Sequence, residues 1–236
     1  IQTKFIRCHS KEFGGGLFIH INTSVMDDST HLFNFLTFED CSAQRGSAIQ
    51  LIEEVPNKKL EFTNCTFKRN KSLQHGGSLS LQIVDTVLIN NCIFERNIAF
   101  SMFNDTTTVR SLFEKPEGRG GSIFVSSSNK LNTTEFIVEN CTFRFNAAFD
   151  GYGIYIEGNE TGERIIISGN MFVDNYKIDD DADSTNDVYY SYRSVIASEK
   201  LNLYDGQIET KNTFINSDSS SVNKLLYVDH YGNPII

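Results

Sequence analysis

One tetrad, Phe-x-x-Asn or Phe-x-x-Cys, returns along most of this chain. It stands at Phe5…Cys8, Phe38…Cys41, Phe67…Asn70, Phe94…Asn97, Phe143…Asn146 and Phe172…Asn175, with a weaker copy at Phe214…Ser217. Successive phenylalanines are 33, 29, 27, 49, 29 and 42 residues apart. A recurrence of this length, with excess at some steps, is what a stack of similar coils gives when loops are inserted between them. No stretch repeats its apolar residues at the helical period of 3.6.

Aligned on the phenylalanine, the copies define columns. Five residues earlier lie Phe33, Phe62, Ile89, Val138 and Ile167, and seven earlier lie Leu60, Val87, Phe136 and Ile165. Alternation of this kind predicts a strand with one buried face. A polar pair such as Thr63-Asn64 or Asn90-Asn91 breaks it and predicts a corner. A second short strand then points Cys65, Cys92 or Cys141 and the phenylalanine inward, and after another polar pair the Asn/Cys column points inward too. Glycine follows at Gly14-Gly15, Gly46, Gly76-Gly77, Gly120-Gly121 and Gly151, where a bend needing φ > 0 is expected. Beyond it come inward rows Leu17, Ile49, Leu79, Ile123, Ile154 and Ile19, Leu51, Leu81, Val125, Ile156. Three short strands and three bends per turn predict an all-β chain, a right-handed parallel β-helix of about six to seven coils. Stacked at about 4.8 Å, like residues then form ladders. A β-sandwich is the plainer alternative, but it has no reason to repeat one side chain in one column.

The 236 residues are read as a single β-helix domain over 1–236, with insertions at about 100–118 and 176–200. Because the chain opens on Ile1 and Phe5 already belongs to a coil, it reads as a mature piece or a fragment of a longer chain. A net charge of −9 without a basic block argues against nucleic acid as a partner. No apolar run reaches the roughly 18 residues of a membrane helix, so no transmembrane segment is expected.

The tetrads followed by Gly120-Gly121-Ser122-Ile123, Gly77-Ser78-Leu79 or Gly46-Ser47-Ala48-Ile49 resemble the repeats of polymorphic outer-membrane proteins and of large protist surface proteins. Those are pectin-lyase-like right-handed β-helices, and the resemblance implies a cell-surface or adhesive role. It covers residues 1–175 well and 200–236 weakly. The cysteine-rich columns depart from the bacterial pattern.

Five cysteines occupy two columns: Cys65, Cys92 and Cys141 in one, Cys8 and Cys41 in the other. They read either as a buried thiol ladder or as disulfides between adjacent coils, Cys8–Cys41 or Cys65–Cys92, whose spacing suits a bridge. With five, at least one stays unpaired within the chain. Zinc is not expected, because the columns run along the solenoid axis and make no tetrahedron. Of seven Asn-x-Ser/Thr sequons, Asn22, Asn104, Asn132 and Asn159 fall in expected loops and are the glycosylation candidates. Asn70 is assigned inward, and Asn64 and Asn140 lie at a corner.

β-helix lyases and glycosidases need clustered acids, with Ca²⁺ or basic partners, on an outer face. The outward column after the glycines reads Phe18, Gln50, Ser80, Phe124 and Tyr155, with no carboxylate and no base. No catalytic residue and no cofactor is therefore assigned, and His75 is read as a solvated turn residue. Phe18, Phe124 and Tyr155 are instead candidate contacts for sugar rings. The second insertion holds Asp179, Asp181 and Asp183, which could bind Ca²⁺ but lack the glycine and terminal glutamate of an EF-hand loop, and then Tyr189 and Tyr190, further candidate contacts. The expected function is an extracellular or cell-surface structural and adhesion module in a larger assembly or filament. Its partners would be further coils or other chains. The alternative is a carbohydrate-active enzyme, or a glycan-binding module, of the pectin-lyase-like kind.

Overall fold

The computed structural model describes residues 2–22, 30–54, 59–83, 86–100, 118–127, 135–148, 151–157, 164–177, 196–198, 212–215, 227–228 and 234–235. The chain winds through four parallel sheets. The first sheet carries the tetrad phenylalanines on seven strands: Thr3–Ile6, Leu36–Glu39, Thr66–Lys68, Ile93–Glu95, Thr142–Arg144, Met171–Val173 and Thr213–Ile215. The second sheet is short, from Ser42–Arg45 through Lys71–His75, Ile98–Ala99 and Ala147–Ala148 to Tyr176–Lys177. The third follows the glycines, as Leu17–Ile21, Ile49–Glu53, Leu79–Ile83, Ile123–Ser127, Ile154–Glu157 and Ile196–Ser198. The fourth leads back through Thr30–Asn34, Lys59–Thr63, Thr86–Asn90, Glu135–Glu139 and Arg164–Ser168.

Two corrections to the expected coil follow. A turn contains four strands, not three, because the Asn/Cys column opens a brief strand of its own before the glycine. Among the described residues, four turns contain all four strands, fewer than the six to seven coils expected, and partial turns flank them. A small antiparallel pair, Tyr227–Val228 with Pro234–Ile235, forms a separate sheet that packs on Ile196–Ser198. Among the described residues, no helix is long and apolar enough to cross a membrane.

Registers confirm the columns. Phe5 pairs with Phe38, Phe38 with Phe67, Phe67 with Phe94, Phe94 with Phe143 and Phe143 with Phe172. Their rings stack with centroids 4.6, 5.4, 4.8, 4.7 and 4.8 Å apart. The inward rows of the third and fourth sheets complete one continuous core.

Corners are made by left-handed residues in three columns. Gly14, Gly46, Gly76, Gly120 and Gly151 form the glycine column with positive φ. At Gly76 a Cβ would stand 2.0 Å from the Leu79 carbonyl oxygen, so no side chain fits. The other two columns are mostly not glycine. Phe35, Asn64, Asn91 and Asn140 turn the chain before the phenylalanine, and Arg7, Asp40, Arg69, Arg96, Phe145 and Asp174 turn it after, all with φ between 47° and 56°. Such residues are strained. The asparagines regain part of the cost by bonding along the column, with Asn64 Nδ2 donating to Asn34 Oδ1 at 3.2 Å and Asn91 Nδ2 to Asn64 Oδ1 at 2.5 Å.

The inward amides make a hydrogen-bonded ladder. The Asn70 backbone N–H donates to Asn97 Oδ1 at 3.1 Å, while Asn97 Nδ2 reaches back to the Phe67 carbonyl at 3.0 Å. Asn97 bears the same relation to Asn146, and Asn146 to Asn175. The cysteine column uses sulfur in the same way. Cys65 N–H donates to Cys92 Sγ at 3.4 Å and Cys92 N–H to Cys141 Sγ at 3.3 Å, and the column continues through Asn170 and Asn212. Each thiol also donates to a carbonyl of the preceding coil: Cys65 to Phe33, Cys92 to Phe62 and Cys141 to Ile89. A thiol here substitutes for an amide, with weaker bonds and a smaller volume. All five cysteines are free thiols in this structure, including the Cys8–Cys41 and Cys65–Cys92 pairs.

Candidate functional surface

The third sheet shows one residue column outward, in the register Phe18, Gln50, Ser80, Phe124, Tyr155. The direction agrees with the expectation, but the exposure differs. Phe18 is 50% exposed, whereas Phe124 is 6% and Tyr155 3% exposed. The two buried rings are therefore not the open sugar platform expected of them. Their faces are occupied along the column: His75 stacks on Phe124 at 4.6 Å, Phe124 on Tyr155 at 5.8 Å, and the Arg119 guanidinium lies 5.1 Å over Tyr155. A sugar ring needs a free aromatic face. Of Phe18, Phe124 and Tyr155, Phe18 is the exposed one, beside Phe13 at 5.8 Å and His20 at 6.4 Å.

A second column flanks the first. The residues just before the bend glycines, Phe13, Arg45, His75 and Arg119, come into parallel register at the junction of the second and third sheets. The sequence carried this signal, since each immediately precedes a bend glycine, but the side chains differ too much to read as a repeat. Arg45 Nε donates to Gln74 Oε1 at 2.8 Å, and Arg119 pairs with Glu157 at 3.2 Å. His75 is not the solvated turn residue expected. It ends a strand and is half-buried, and its Nδ1 has no hydrogen-bond partner. Burial, with Arg45 and Arg119 on either side, lowers its pKa to about 4, so it is a neutral ring at physiological pH. So weak a base, stacked on Phe124, is better suited to packing than to proton transfer.

The remaining candidates divide by position. Asn22 is exposed, one residue past the strand Leu17–Ile21. Asn104, Asn132, Asn159, Asp179, Asp181, Asp183, Tyr189 and Tyr190 lie outside the described residues. Among the described residues, no group of three or more His, Cys, Asp or Glu could hold a metal ion. Asn70 is fully buried, and its Nδ2 donates to both the Phe38 carbonyl and Asn97 Oδ1, so a glycan there is incompatible with the fold. Asn140 is exposed at its corner and Asn64 half-buried.

Neither a curated protein nor a solved structure matches this chain. The family pattern described as a right-handed β-helix region matches residues 2–195, which takes in all four complete turns and both aromatic columns. With parallel sheets, in-register ladders and this match in agreement, the chain belongs to the right-handed β-helix family.

Proposed function

We propose that this chain is a non-catalytic structural and adhesion module of the cell surface or extracellular space, working within a longer β-helical assembly. The first coil carries this reading. Phe5, Leu17, Ile19 and Phe33 pack on the core yet stay only partly buried, while their counterparts Phe38, Ile49, Leu51 and Phe62 are sealed. Strands Thr3–Ile6, Leu17–Ile21 and Thr30–Asn34 are edges of their sheets among the described residues. A strand edge beside a half-open apolar interior favours a further coil, from the same protein or another chain. The likeness to polymorphic outer-membrane repeats and the exposed sequon at Asn22 favour a surface setting. Sedimentation of the native protein across a concentration series tests this, with mass rising above that of one chain as the expected result. A constant single-chain mass, together with free hydrogen exchange throughout the first coil, would sink it.

The Phe18 platform favours a second reading, glycan binding. His20, 6.4 Å from the Phe18 ring, forms a 3.0 Å pair with Glu54 of the next coil, two polar groups beside the platform. Calorimetry against soluble oligosaccharides would support it if binding is seen and is lost in Phe18→Ala. A polysaccharide lyase or glycosidase is the remaining alternative, and Glu157, held by Arg119, is an acid two residues past Tyr155 on the same strand.

A further inference from the structure

The Asn/Cys column runs Cys8, Cys41, Asn70, Asn97, Asn146, Asn175. From Asn70 onward each step is closed by an amide that accepts from one coil and donates to the other, and Cys41 joins that ladder by donating its backbone N–H to Asn70 Oδ1 at 3.0 Å. The step between Cys8 and Cys41 differs. From Cys41 the side-chain bond toward the first coil is a weak Sγ–H···O contact to the Phe5 carbonyl at 3.6 Å, and the Cys8 thiol turns to its own strand at Ile6, 3.8 Å away. The two cysteines are in register, because Ile6 pairs with Glu39 and Ser42 N–H donates to the Cys8 carbonyl. Neighbouring strands stand about 4.8 Å apart, inside the Cα separation of roughly 4.4–6.8 Å that a disulfide spans.

We propose that Cys8 and Cys41 form a redox-active dithiol whose oxidation to a disulfide fastens the first coil to the second. The other three thiols are in register as well, and access separates them. Cys65, Cys92 and Cys141 are buried and each accepts or donates ladder bonds on both sides, whereas Cys8 is half-exposed at the edge coil. A small disulfide such as oxidised glutathione is the oxidant. The Cys8 thiolate attacks one of its sulfurs, forming a Cys8–glutathione mixed disulfide and releasing one glutathione, which takes up the proton Cys8 lost. The Cys41 thiolate then attacks the Cys8 sulfur and expels the second glutathione. Two electrons pass to the oxidant, and two protein thiols become one disulfide. Burial, with Cys8 beside it, holds the Cys41 thiol up at about 11, so the second step quickens about tenfold per pH unit below that value. The bond replaces the amide ladder at the coil with the fewest neighbours, and it does not depend on whether that coil also stacks on a partner.

The test treats the folded full-length chain with oxidised glutathione, alkylates it in denaturant and maps its peptides. The expected product links Cys8 to Cys41 and leaves Cys65, Cys92 and Cys141 alkylated, with hydrogen exchange of Thr3–Ile6 slowed several-fold. Cys41→Ser should stop at the Cys8–glutathione adduct, and Cys8→Ser should acquire neither adduct nor link. Wild-type protein that stops at the adduct, a link involving any of the other three cysteines, or a link only between two molecules would each overturn the proposal. The wild-type map decides even if a variant misfolds.

Discussion

At the scale of single residues, Asn97 illustrates why a buried amide is kept in an apolar interior. Its oxygen accepts from the Asn70 backbone and side chain, and its nitrogen donates to the Phe67 carbonyl and Asn146 Oδ1. Asn97→Ala orphans buried groups on two coils and should cost more than about 3 kcal/mol in chemical denaturation. Asn97→Cys should cost clearly less than alanine, since Cys41 and Cys92 already stand in such ladders. Equal losses for the two would refute the amide-like role of the thiols. His75 gives the pH dependence. Its folded pKa of about 4 lies below its ordinary 6.5, so the unfolded chain binds the proton more readily. Stability present above pH 6.5 is therefore lost as pH falls toward 4, by an amount on the order of 1–3 kcal/mol. His75→Gln should flatten that part of the stability curve, and an unchanged slope between pH 6.5 and 4 would show that the ring is not held neutral.

At the scale of elements, the ladder is the unit of stability. Phe94 stacks between Phe67 at 4.8 Å and Phe143 at 4.7 Å and is fully buried. Phe94→Ala leaves a cavity bounded by two rigid coils and should cost about 3–5 kcal/mol, read from the denaturation midpoint at constant slope. Outside the same sheet, like charges are kept apart: Glu39, Lys68, Glu95 and Arg144 alternate in register, and Arg144 bonds Glu95 at 2.7 Å. A stack that repeats its interior so closely would otherwise set like charges in rows. Corners show the reverse economy. Only the bend at Gly76 and its equivalents is restricted to glycine, because a Cβ there would strike backbone. The other two corners carry Arg, Asp, Phe and Asn at positive φ.

At the scale of the whole molecule, stability should be graded along the axis, since each coil touches only its neighbours. Hydrogen exchange should be slowest in Lys59–Thr63, Thr66–Lys68 and Thr86–Asn90, which have coils on both sides, and fastest in Thr3–Ile6 at the edge. Uniform protection would mean that the first coil is covered or that unfolding is fully concerted, and repeating the measurement after dilution separates the two. The outer faces are equally uneven: the third sheet has a closed aromatic end at Phe124 and Tyr155 and an open one at Phe18.

The sequence by itself determined the solenoid. Phe67, Phe94 and Phe143 recur because each coil lacks enough apolar surface to close on its own and must match the next, so the column, strand register and inward rows were all legible. The Gly76 bend was legible for the same reason, as no other residue fits. Only the tertiary structure decided what the variable positions do. The corner column Arg45, His75, Arg119 does not repeat one side chain that a repeat search could find, and His75 becomes a neutral ring because winding the chain buries it between two arginines. Phe124 and Tyr155 point outward, as alternation requires, yet their burial depends on which neighbours stack on their faces. Likewise, spacing aligned all five cysteines with partners, but only the packed coil separates the half-exposed Cys8 from three thiols sealed in the ladder. Alternation fixes a side chain's direction; its exposure is fixed by the neighbouring coils, which lie tens of residues away.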